Sequence, residues 1–269
     1  MDFLLSSSQT LLKEYVMSLL GFIKGESPGL IESIPHVLKG KGHYGEYLTE
    51  YALGHDNLPG RLETYSNVLV PRKGATSTSE IDVLMLHEKG IFLFESKNYS
   101  GWIFGSEKQQ NWTVSLKGGH KEHFYNPIKQ NAAHVRALAK WLDQPESVFR
   151  SYIVFSERCE LKKVPDDTEL FCVLRRQNLV RMMKKDLASR SVLFDGKAFE
   201  EIKRQLDSLS ESSTKEAREE HIEEAKKVAA GVVCPRCGAD LVERQRKSDG
   251  HTFIACSAFP KCRYARDEW

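Results

Sequence analysis

The sequence predicts an α/β fold in which a mixed sheet is flanked by helices, followed by a small cysteine-rich module at the C-terminal end. Apolar runs with helix and strand periodicity alternate as far as residue 209. Four of the six cysteines then crowd into the last 40 residues, beyond a charged stretch at 210–231. We therefore expect an N-terminal helix within 1–35, a main domain at 36–209, a charged helical linker at 210–231 and a separate module at 232–269.

The N-terminal apolar run at 3–23 is interrupted by polar residues at 6–10 and by Lys13 and Glu14. A membrane-spanning helix needs about 20 mostly apolar residues, so we expect no membrane span here. Helical spacing favours a helix packed on the domain, with a membrane-surface or dimer helix as alternatives. Because no secretory signal is visible, we expect a cytoplasmic protein with thiols rather than disulfides.

The main domain should begin with a helix that follows the glycine-rich loop at 40–46 and ends near His55. Asn126 and Pro127 predict the start of a later helix that ends near Leu142, because proline is favoured in the first helical turn. The remaining strands are expected at 64–70, 80–87, 90–97, 150–155 and 170–174, with a hairpin at 102–116 and helices at 177–188 and 197–209. Cys159 and Cys172 lie in apolar strand contexts and are expected to be buried free thiols.

The strands at 80–87 and 90–97 are joined by a short turn. A turn centred between positions 88 and 89 makes paired positions sum to 177, which places Asp82 opposite Glu95. Side chains alternate along a strand, so Glu95 and Lys97 share a face and Ser96 points the other way. The register therefore gathers two carboxylates and one ammonium group at one end of an apolar strand pair.

Two facing carboxylates repel each other unless a cation lies between them. Hard oxygen ligands with open positions suit Mg²⁺ or Mn²⁺, which can polarise a phosphoryl oxygen and acidify a bound water. Lys97 could then orient that water or offset charge on phosphorus. Taken alone, the same residues also fit an exposed acidic and basic hairpin end.

Ile81-Asp82 and the run from Gly90 to Gly105 resemble the nuclease-related domain (NERD), a member of the restriction-endonuclease-like superfamily. Its signature is an Asp followed by Glu-x-Lys. Gly42-His-Tyr-Gly-Glu46 is similar to the family's early Gly-x-x-Gly-Glu, and Asn126-Pro-Ile-Lys-Gln130 to its later Asn-Pro-x-x-Gln. The motif core covers 40–145. This resemblance implies a restriction-endonuclease-like mixed sheet.

The same resemblance implies the roles of five side chains, with Lys97 as the catalytic lysine. Asp82 and Glu95 would be metal ligands, with the backbone carbonyl of Ser96 as a third oxygen. Glu46 would reach the metal directly or through water, and Gln130 would contact the site from its helix. Ser96 stands where the family usually has Thr, and Trp102 is expected to pack rather than to stack on substrate. His43, His120, His123 and His134 could assist catalysis, although a lone histidine is more often structural.

In the C-terminal module, two cysteine pairs, Cys234 with Cys237 and Cys256 with Cys262, are separated by a hairpin-sized stretch. This layout is typical of a tetrahedral four-cysteine zinc site, which supplies folding free energy to a module with little core. Disulfide pairing is the less favoured alternative. Strands are expected at 241–247 and 252–255.

The run 234–264 is similar to the zinc finger at the C-terminus of bacterial type I topoisomerases, a family in which this module binds single-stranded DNA. Basic and aromatic side chains are the candidate nucleic-acid contacts: Arg244, Arg246, Lys247, Phe253, Phe259, Lys261, Arg263 and Tyr264.

The overall charge does not indicate a strong general attraction to nucleic acid. The chain has 39 Lys and Arg and 37 Asp and Glu, a net charge of +2. Residues 231–269 hold seven basic and five acidic side chains, which leaves 32 of each in 1–230. Any phosphate-binding surface must therefore come from local clustering.

Together these patterns predict a Mg²⁺- or Mn²⁺-dependent nuclease that cleaves DNA as an endonuclease, with a zinc module that binds single-stranded or duplex DNA. The alternative is a component that binds nucleic acid without cutting it, in DNA repair or in defence against foreign DNA, because a fold alone does not guarantee activity. A protein partner or a second copy of the chain could bind at the N-terminal helix or after Gln177.

Overall fold

The computed structural model describes residues 41–55, 57–71, 78–235, 237–246 and 250–266. The helix expected within 1–35 lies outside these residues. In chain order the elements are α1 (Lys41–His55), β1 (Leu62–Pro71), β2 (Thr78–His87), β3 (Gly90–Lys97), β4 (Gly101–Phe104), β5 (Asn111–Ser115), β6 (Lys121–Tyr125), α2 (Pro127–Leu142), β7 (Phe149–Phe155), β8 (Cys159–Lys163), β9 (Phe171–Arg175), α3 (Leu179–Ser189), α4 (Gly196–Ser212), α5 (Lys215–Ala229), β10 (Leu241–Gln245), β11 (Thr252–Cys256) and β12 (Ala265–Arg266).

The central sheet is mixed, as expected, and has the strand order β1-β2-β3-β7-β9. Strands β1, β2 and β3 run antiparallel, whereas β3, β7 and β9 are parallel. The β2–β3 ladder follows the predicted register from His87 opposite Gly90 to Val83 opposite Phe94, which confirms the pairing arithmetic. Because the ladder ends at that pair, the next residues, Asp82 and Glu95, lie where the two strands part.

Helices cover both faces of this sheet because its strands carry apolar side chains on both sides. One face packs against α2 and α4, with Leu84 and Leu93 in the same cluster as Leu138 and Leu206. The other face packs against α1 and α3, through Leu53, Phe94, Tyr152 and Met183 among others. The site described below lies at the end of this three-layer core, so its strands are held from both sides.

A second sheet, with the order β6-β5-β4-β8, was only partly predicted. The β4–β5 hairpin matches the expected span at 102–116 to within one residue, but β6 and β8 were missed. Both are short and largely polar, and β8 buries little besides Cys159, so neither shows an apolar alternation. Cys159 and Cys172 are buried free thiols, as expected.

Trp102 was expected to pack, but in the second sheet half of its side chain is exposed. This side chain is 50% exposed because it lies on the outward face of β4, whereas its neighbour Ile103 enters the core.

The C-terminal region contains α5 and a small three-stranded antiparallel sheet, β10-β11-β12. Two of its strands match the expected hairpin, and β12 adds a short third strand. Before α5, the Ser213 hydroxyl accepts a hydrogen bond from the Leu69 amide at 2.9 Å, so the chain stays attached to β1 after α4 ends. Within the described ranges, no helix is both long and apolar enough to cross a membrane.

Candidate functional sites

Glu95 and Lys97 share one face of β3, and Ser96 between them faces the other way, as alternation predicts. The Ser96 hydroxyl lies 3.2 Å from the Thr49 hydroxyl on α1. On the opposite face, the Lys97 ammonium group donates to Glu95 Oε1 at 2.6 Å and to Gln130 Oε1 on α2 at 3.2 Å. The structure thus brings Glu95, Lys97 and Gln130 together.

Asp82 reaches the same place from β2 and compensates for the end of the ladder. Its Oδ2 accepts a hydrogen bond from the Ser96 backbone amide at 2.8 Å, a donor that strand pairing no longer uses. In the β1–β2 ladder, Asp82 faces Asn67, which interrupts the pairing with a left-handed φ of 55°. The local break in both ladders therefore frees Asp82 to turn its carboxylate towards β3.

The electrostatics show an excess of negative charge around Asp82. Burial, followed by the neighbouring carboxylates of Glu95 and Glu46, raises the pKa of Asp82 well above its usual value, against the opposing effects of Lys97 and the Ser96 amide. A bound cation would relieve that repulsion.

Lys97 and Glu95 stabilise each other's charged forms. Burial alone would raise the pKa of Glu95, but Lys97 and His134 outweigh it and lower the pKa. Burial would likewise lower the pKa of Lys97, but Glu95 and Asp82 outweigh it and raise the pKa. The lysine is therefore held as an ammonium group beside the carboxylates.

His134 is the histidine that the structure brings to this site. It lies on α2, one turn after Gln130, and is 6% exposed. Its Nε2 lies 3.5 Å from Glu95 Oε2, and its Nδ1 lies 2.6 Å from the hydroxyl of Ser79 on β2. His120 and His123 are exposed, and the side chain of His43 lies outside the described set. Ser79 had no sequence signal, because a serine on a strand is common.

The Gly-x-x-Gly-Glu motif at 42–46 positions α1 against β3. A methyl group on Gly45 would lie 3.0 Å from Asn98 Cβ and 3.3 Å from Ser96 Oγ, closer than ordinary van der Waals contact, so β3 and α1 would have to shift slightly to accept a larger residue. The Gly45 carbonyl accepts from Arg176, whose guanidinium group also pairs with both carboxylate oxygens of Glu157 at 2.9 Å. Glu46 follows directly and places its charge near Asp82. Sequence reasoning missed Arg176, which is distant in the chain.

In the Asn-Pro-x-x-Gln motif at 126–130, the first residue, Asn126, is fully buried. Its side-chain oxygen caps α2 by accepting from the amides of Ile128 and Lys129. Its side-chain nitrogen donates to three carbonyls of the loop before β5, those of Ser106, Glu107 and Gln109. Asn126 thus fixes the helix start from which Gln130 reaches Lys97.

The donor set at Asp82 and Glu95 fits a hard divalent cation. Glu95 is 2% exposed, and its Oε2 lacks a hydrogen-bond partner among the described residues. Mg²⁺ is usually held by one or two carboxylates together with water and substrate oxygens. In the described part of the chain, Glu46 does not converge with Asp82 and Glu95 into a tight three-ligand group.

The four predicted zinc ligands do converge. The sulfur atoms of Cys234, Cys237, Cys256 and Cys262 all lie within 4.8 Å of one another. Cys234 and Cys262 sulfurs are 3.7 Å apart, and those of Cys237 and Cys256 are 3.3 Å apart. A tetrahedral zinc with bonds of about 2.3 Å separates its sulfurs by about 3.8 Å, so four thiolates at this spacing fit the ion.

Local backbone geometry shapes this centre. Gly238 has a φ of 75°, which permits the turn after the first cysteine pair, and its amide donates to the Cys234 carbonyl at 2.8 Å. The Ala258 amide donates to Cys256 Sγ at 3.4 Å and would offset thiolate charge.

The nucleic-acid candidates of the module differ in exposure. Phe253 and Tyr264 are partly buried, so each contributes to packing, whereas Phe259 is 59% exposed. Lys247 lies outside the described residues. The remaining candidates are exposed basic side chains: Arg244, Arg246, Lys261 and Arg263.

Comparisons with known proteins match both parts of the chain. Residues 41–156 match the family model of the nuclease-related domain, and residues 231–268 match that of the topoisomerase DNA-binding C4 zinc finger. An uncharacterized protein of Bacillus anthracis is 37% identical over 129 residues, which cover 48% of this chain and 59% of that protein. DNA topoisomerase 1 of Pyrococcus horikoshii is 36% identical over 87 residues, 29% of this chain and 13% of the topoisomerase. The chain therefore spans less than two thirds of either relative. No solved structure matches it significantly.

Proposed function

We propose that this chain, which combines a nuclease-related domain with a topoisomerase-type four-cysteine zinc ribbon, is a metal-dependent nuclease that cleaves phosphodiester bonds of DNA. The proposal depends most on one observation. A buried carboxylate, Glu95, contacts the Lys97 ammonium group through one oxygen at 2.6 Å, while its other oxygen makes no well-formed hydrogen bond among the described residues and has only His134 Nε2 beside it, at 3.5 Å.

Burying these carboxylates lowers the stability of the fold unless a bound cation compensates for it. A buried polar atom without a partner destabilises the fold by about 1–3 kcal/mol. Asp82 adds a second carboxylate whose charge is opposed by Glu95 and Glu46. Asp82 and Glu95, with the carbonyl oxygen of Ser96, would hold Mg²⁺ or Mn²⁺, and Glu46 would contact the ion through water. When bound, the ion supplies electrophilic stabilisation of the phosphate and a more acidic water.

The residues of the chain then have distinct tasks. The Lys97 ammonium group would donate to a non-bridging oxygen of the scissile phosphate and stabilise the negative charge that develops there. Gln130 Oε1, which accepts from Lys97 at 3.2 Å, would hold the ammonium group in place while it exchanges Glu95 for substrate. His134 Nε2, which lies 3.5 Å from Glu95 Oε2, would orient that carboxylate.

The zinc ribbon would bind nucleic acid and keep it near the nuclease domain. Its exposed arginines and lysines can contact phosphates, and Phe259 offers an accessible aromatic face. The rest of the chain has almost no net charge, so its general electrostatic attraction to nucleic acid is weak. A separate binding module would therefore help to hold the substrate.

Cleavage of plasmid and single-stranded DNA by the zinc-loaded protein tests the proposal. We expect cutting with Mg²⁺ or Mn²⁺, none without an added divalent ion, and loss of cutting in Asp82→Ala. Equal cleavage by the wild-type protein and Asp82→Ala would remove the proposed metal site from the reaction. The absence of cutting in all conditions would favour a protein that only binds nucleic acid.

A further inference from the structure

The second sheet has one buried face and one open face. Ile103, Trp112, Val114 and Cys159 point inward and form a core cluster with β7. Strand alternation sends their neighbours to the other side. Antiparallel pairing then aligns the outward residues in rows across the sheet, with Trp102 opposite Ser115 and Ser115 opposite Lys121.

This open face carries large aromatic side chains where a solvated sheet normally has small or charged residues. Trp102 and Tyr125 are each 50% exposed. They lie towards opposite ends of the face, and the partly buried Phe104 and Thr113 and the exposed His123 lie between them. Half-exposed aromatic rings on a flat surface offer faces on which planar groups can stack.

Basic groups surround the Trp102 end of the face. The Lys162 ammonium group lies 5.0 Å from the centre of the Trp102 ring. Lys117 and Lys121 are exposed on the neighbouring turn and strand. Glu160 is the acidic side chain among the outward positions of these strands; it lies opposite Trp102, accepts a hydrogen bond from that side chain and pairs with Lys162. The local excess of positive charge suits a polyanion.

Chain connectivity joins the open face to the candidate active site at two points. Trp102 follows Lys97 by five residues, and Tyr125 precedes Gln130 by five residues. The Tyr99 ring, between Lys97 and β4, packs against Phe124 with ring centres 4.6 Å apart. The strands that carry Trp102 and Tyr125 are therefore connected to both Lys97 and Gln130 by short stretches of chain.

We propose that the outward face of β4, β5, β6 and β8 binds single-stranded nucleic acid, with bases stacked on Trp102 and Tyr125 and phosphates contacted by Lys117, Lys121 and Lys162. This inference rests on the proposed nuclease function and names its substrate as a single strand. Unpaired bases can place their faces on aromatic side chains, whereas a duplex keeps its base faces stacked inside the helix.

The test measures binding to the full-length, zinc-loaded protein in a Lys97→Ala background, so that the probe stays intact. The probes are fluorescent oligothymidylate, the corresponding oligouridylate and a DNA hairpin duplex, measured by fluorescence anisotropy without added divalent ions. Trp102→Ala and Tyr125→Ala are compared with Trp102→Phe, which keeps a stacking ring, and with Leu170→Ala, which removes an exposed apolar side chain from another surface.

We expect Trp102→Ala and Tyr125→Ala each to weaken single-strand binding by about fivefold to 100-fold. Trp102→Phe should retain most of the affinity, and Leu170→Ala should match the parent. Loss on oligothymidylate and oligouridylate alike would support the shared stacking chemistry. Unchanged single-strand affinity in both alanine variants would overturn the inference and assign the face to another kind of partner. Equal losses on the duplex would overturn it as well.

Failure of this inference can be distinguished from failure of the proposed function. Binding is measured without cleavage, and cleavage is measured separately in the protein with Lys97 intact. A protein that cuts DNA but binds it independently of Trp102 and Tyr125 would retain the nuclease proposal and lose this one.

Discussion

His134 and Gly45 show how single residues shape the candidate site without being part of the signature Asp and Glu-x-Lys. His134 lies between Ser79 and Glu95, and Gly45 lets α1 approach Ser96 and Asn98. Replacing His134 should change metal affinity, and replacing Gly45 should change the position of α1.

Replacing His134 with Leu should weaken Mn²⁺ binding by about 10-fold to 100-fold, the usual effect of losing a group that orients a metal ligand. His134→Gln should recover much of the affinity, because its amide can still donate to Glu95. Ser79→Ala should act in the same direction with a smaller effect. Calorimetry or electron paramagnetic resonance on the zinc-loaded protein gives the affinity. A role limited to packing would lower the melting temperature of His134→Leu and leave its Mn²⁺ affinity unchanged.

Gly45→Ala should shift α1 relative to β3 and cost about 1–3 kcal/mol of stability, because the added methyl group would lie only 3.0 Å from Asn98 Cβ. Gly54 on the same helix is the matched control, since an added methyl group there meets nothing within 4 Å. Gly54→Ala should be neutral or should stabilise the helix by up to about 1 kcal/mol. Thermal or urea unfolding of both variants provides the comparison. Equal effects of the two substitutions would contradict the close-approach argument.

At the scale of elements, the loop before β5 and the start of α2 form one unit because Asn126 binds both. Asn126→Ala removes a helix cap and the side-chain donor to the Glu107 and Gln109 carbonyls, while the Ser106 carbonyl keeps Trp112 Nε1, and the change should cost about 2–4 kcal/mol. Asn126→Asp keeps the capping oxygen but loses the donors, so it should retain the helix and loosen the loop. Hydrogen exchange can resolve the two regions. Equal hydrogen-exchange protection of the loop in Asn126→Asp and the wild-type protein would show that the Asn126 side-chain nitrogen does not hold the loop.

Elements with a strong apolar pattern were predictable from the sequence, and short polar ones were not. The β2–β3 hairpin was placed in the correct register because its turn is short and its strands are apolar. Strands β6 and β8 were missed because their pairing, and not their composition, makes them strands. The same limit applies to the site. Glu95 and Lys97 could be placed on one face by alternation, whereas Ser79 and Arg176 depend on contacts between distant segments.

Across the whole molecule, two sets of possible metal ligands with different chemistry occur in one chain. The four thiols of the C-terminal module and its family match support a structural zinc ion. The carboxylates at Asp82 and Glu95 are the proposed site of a second, exchangeable ion. Soft sulfur ligands would favour zinc and hard oxygen ligands would favour Mg²⁺ or Mn²⁺, so the two sites would select different ions.

Elemental analysis of the purified protein should find about one zinc per chain. Replacing Cys234 and Cys237 together with Ser should abolish zinc binding and unfold the module, because metal binding supplies its folding free energy. The nuclease domain should remain folded, with unchanged Mn²⁺ affinity at Asp82 and Glu95. A loss of both metals in this variant would show that the two centres are not independent.

The proposed action of Lys97 on a scissile phosphate is tested most directly by the Mg²⁺-dependent rate of single-stranded DNA cleavage in Lys97→Ala. Lys140→Ala, which removes an exposed lysine from α2, is the matched control. Loss of one group that stabilises developing charge costs about 100-fold to 1000-fold in rate, so Lys97→Ala should be slower by about that factor while Lys140→Ala stays within about twofold of the parent. A Lys97→Ala protein that folds normally and cuts as fast as the wild-type protein would contradict the account.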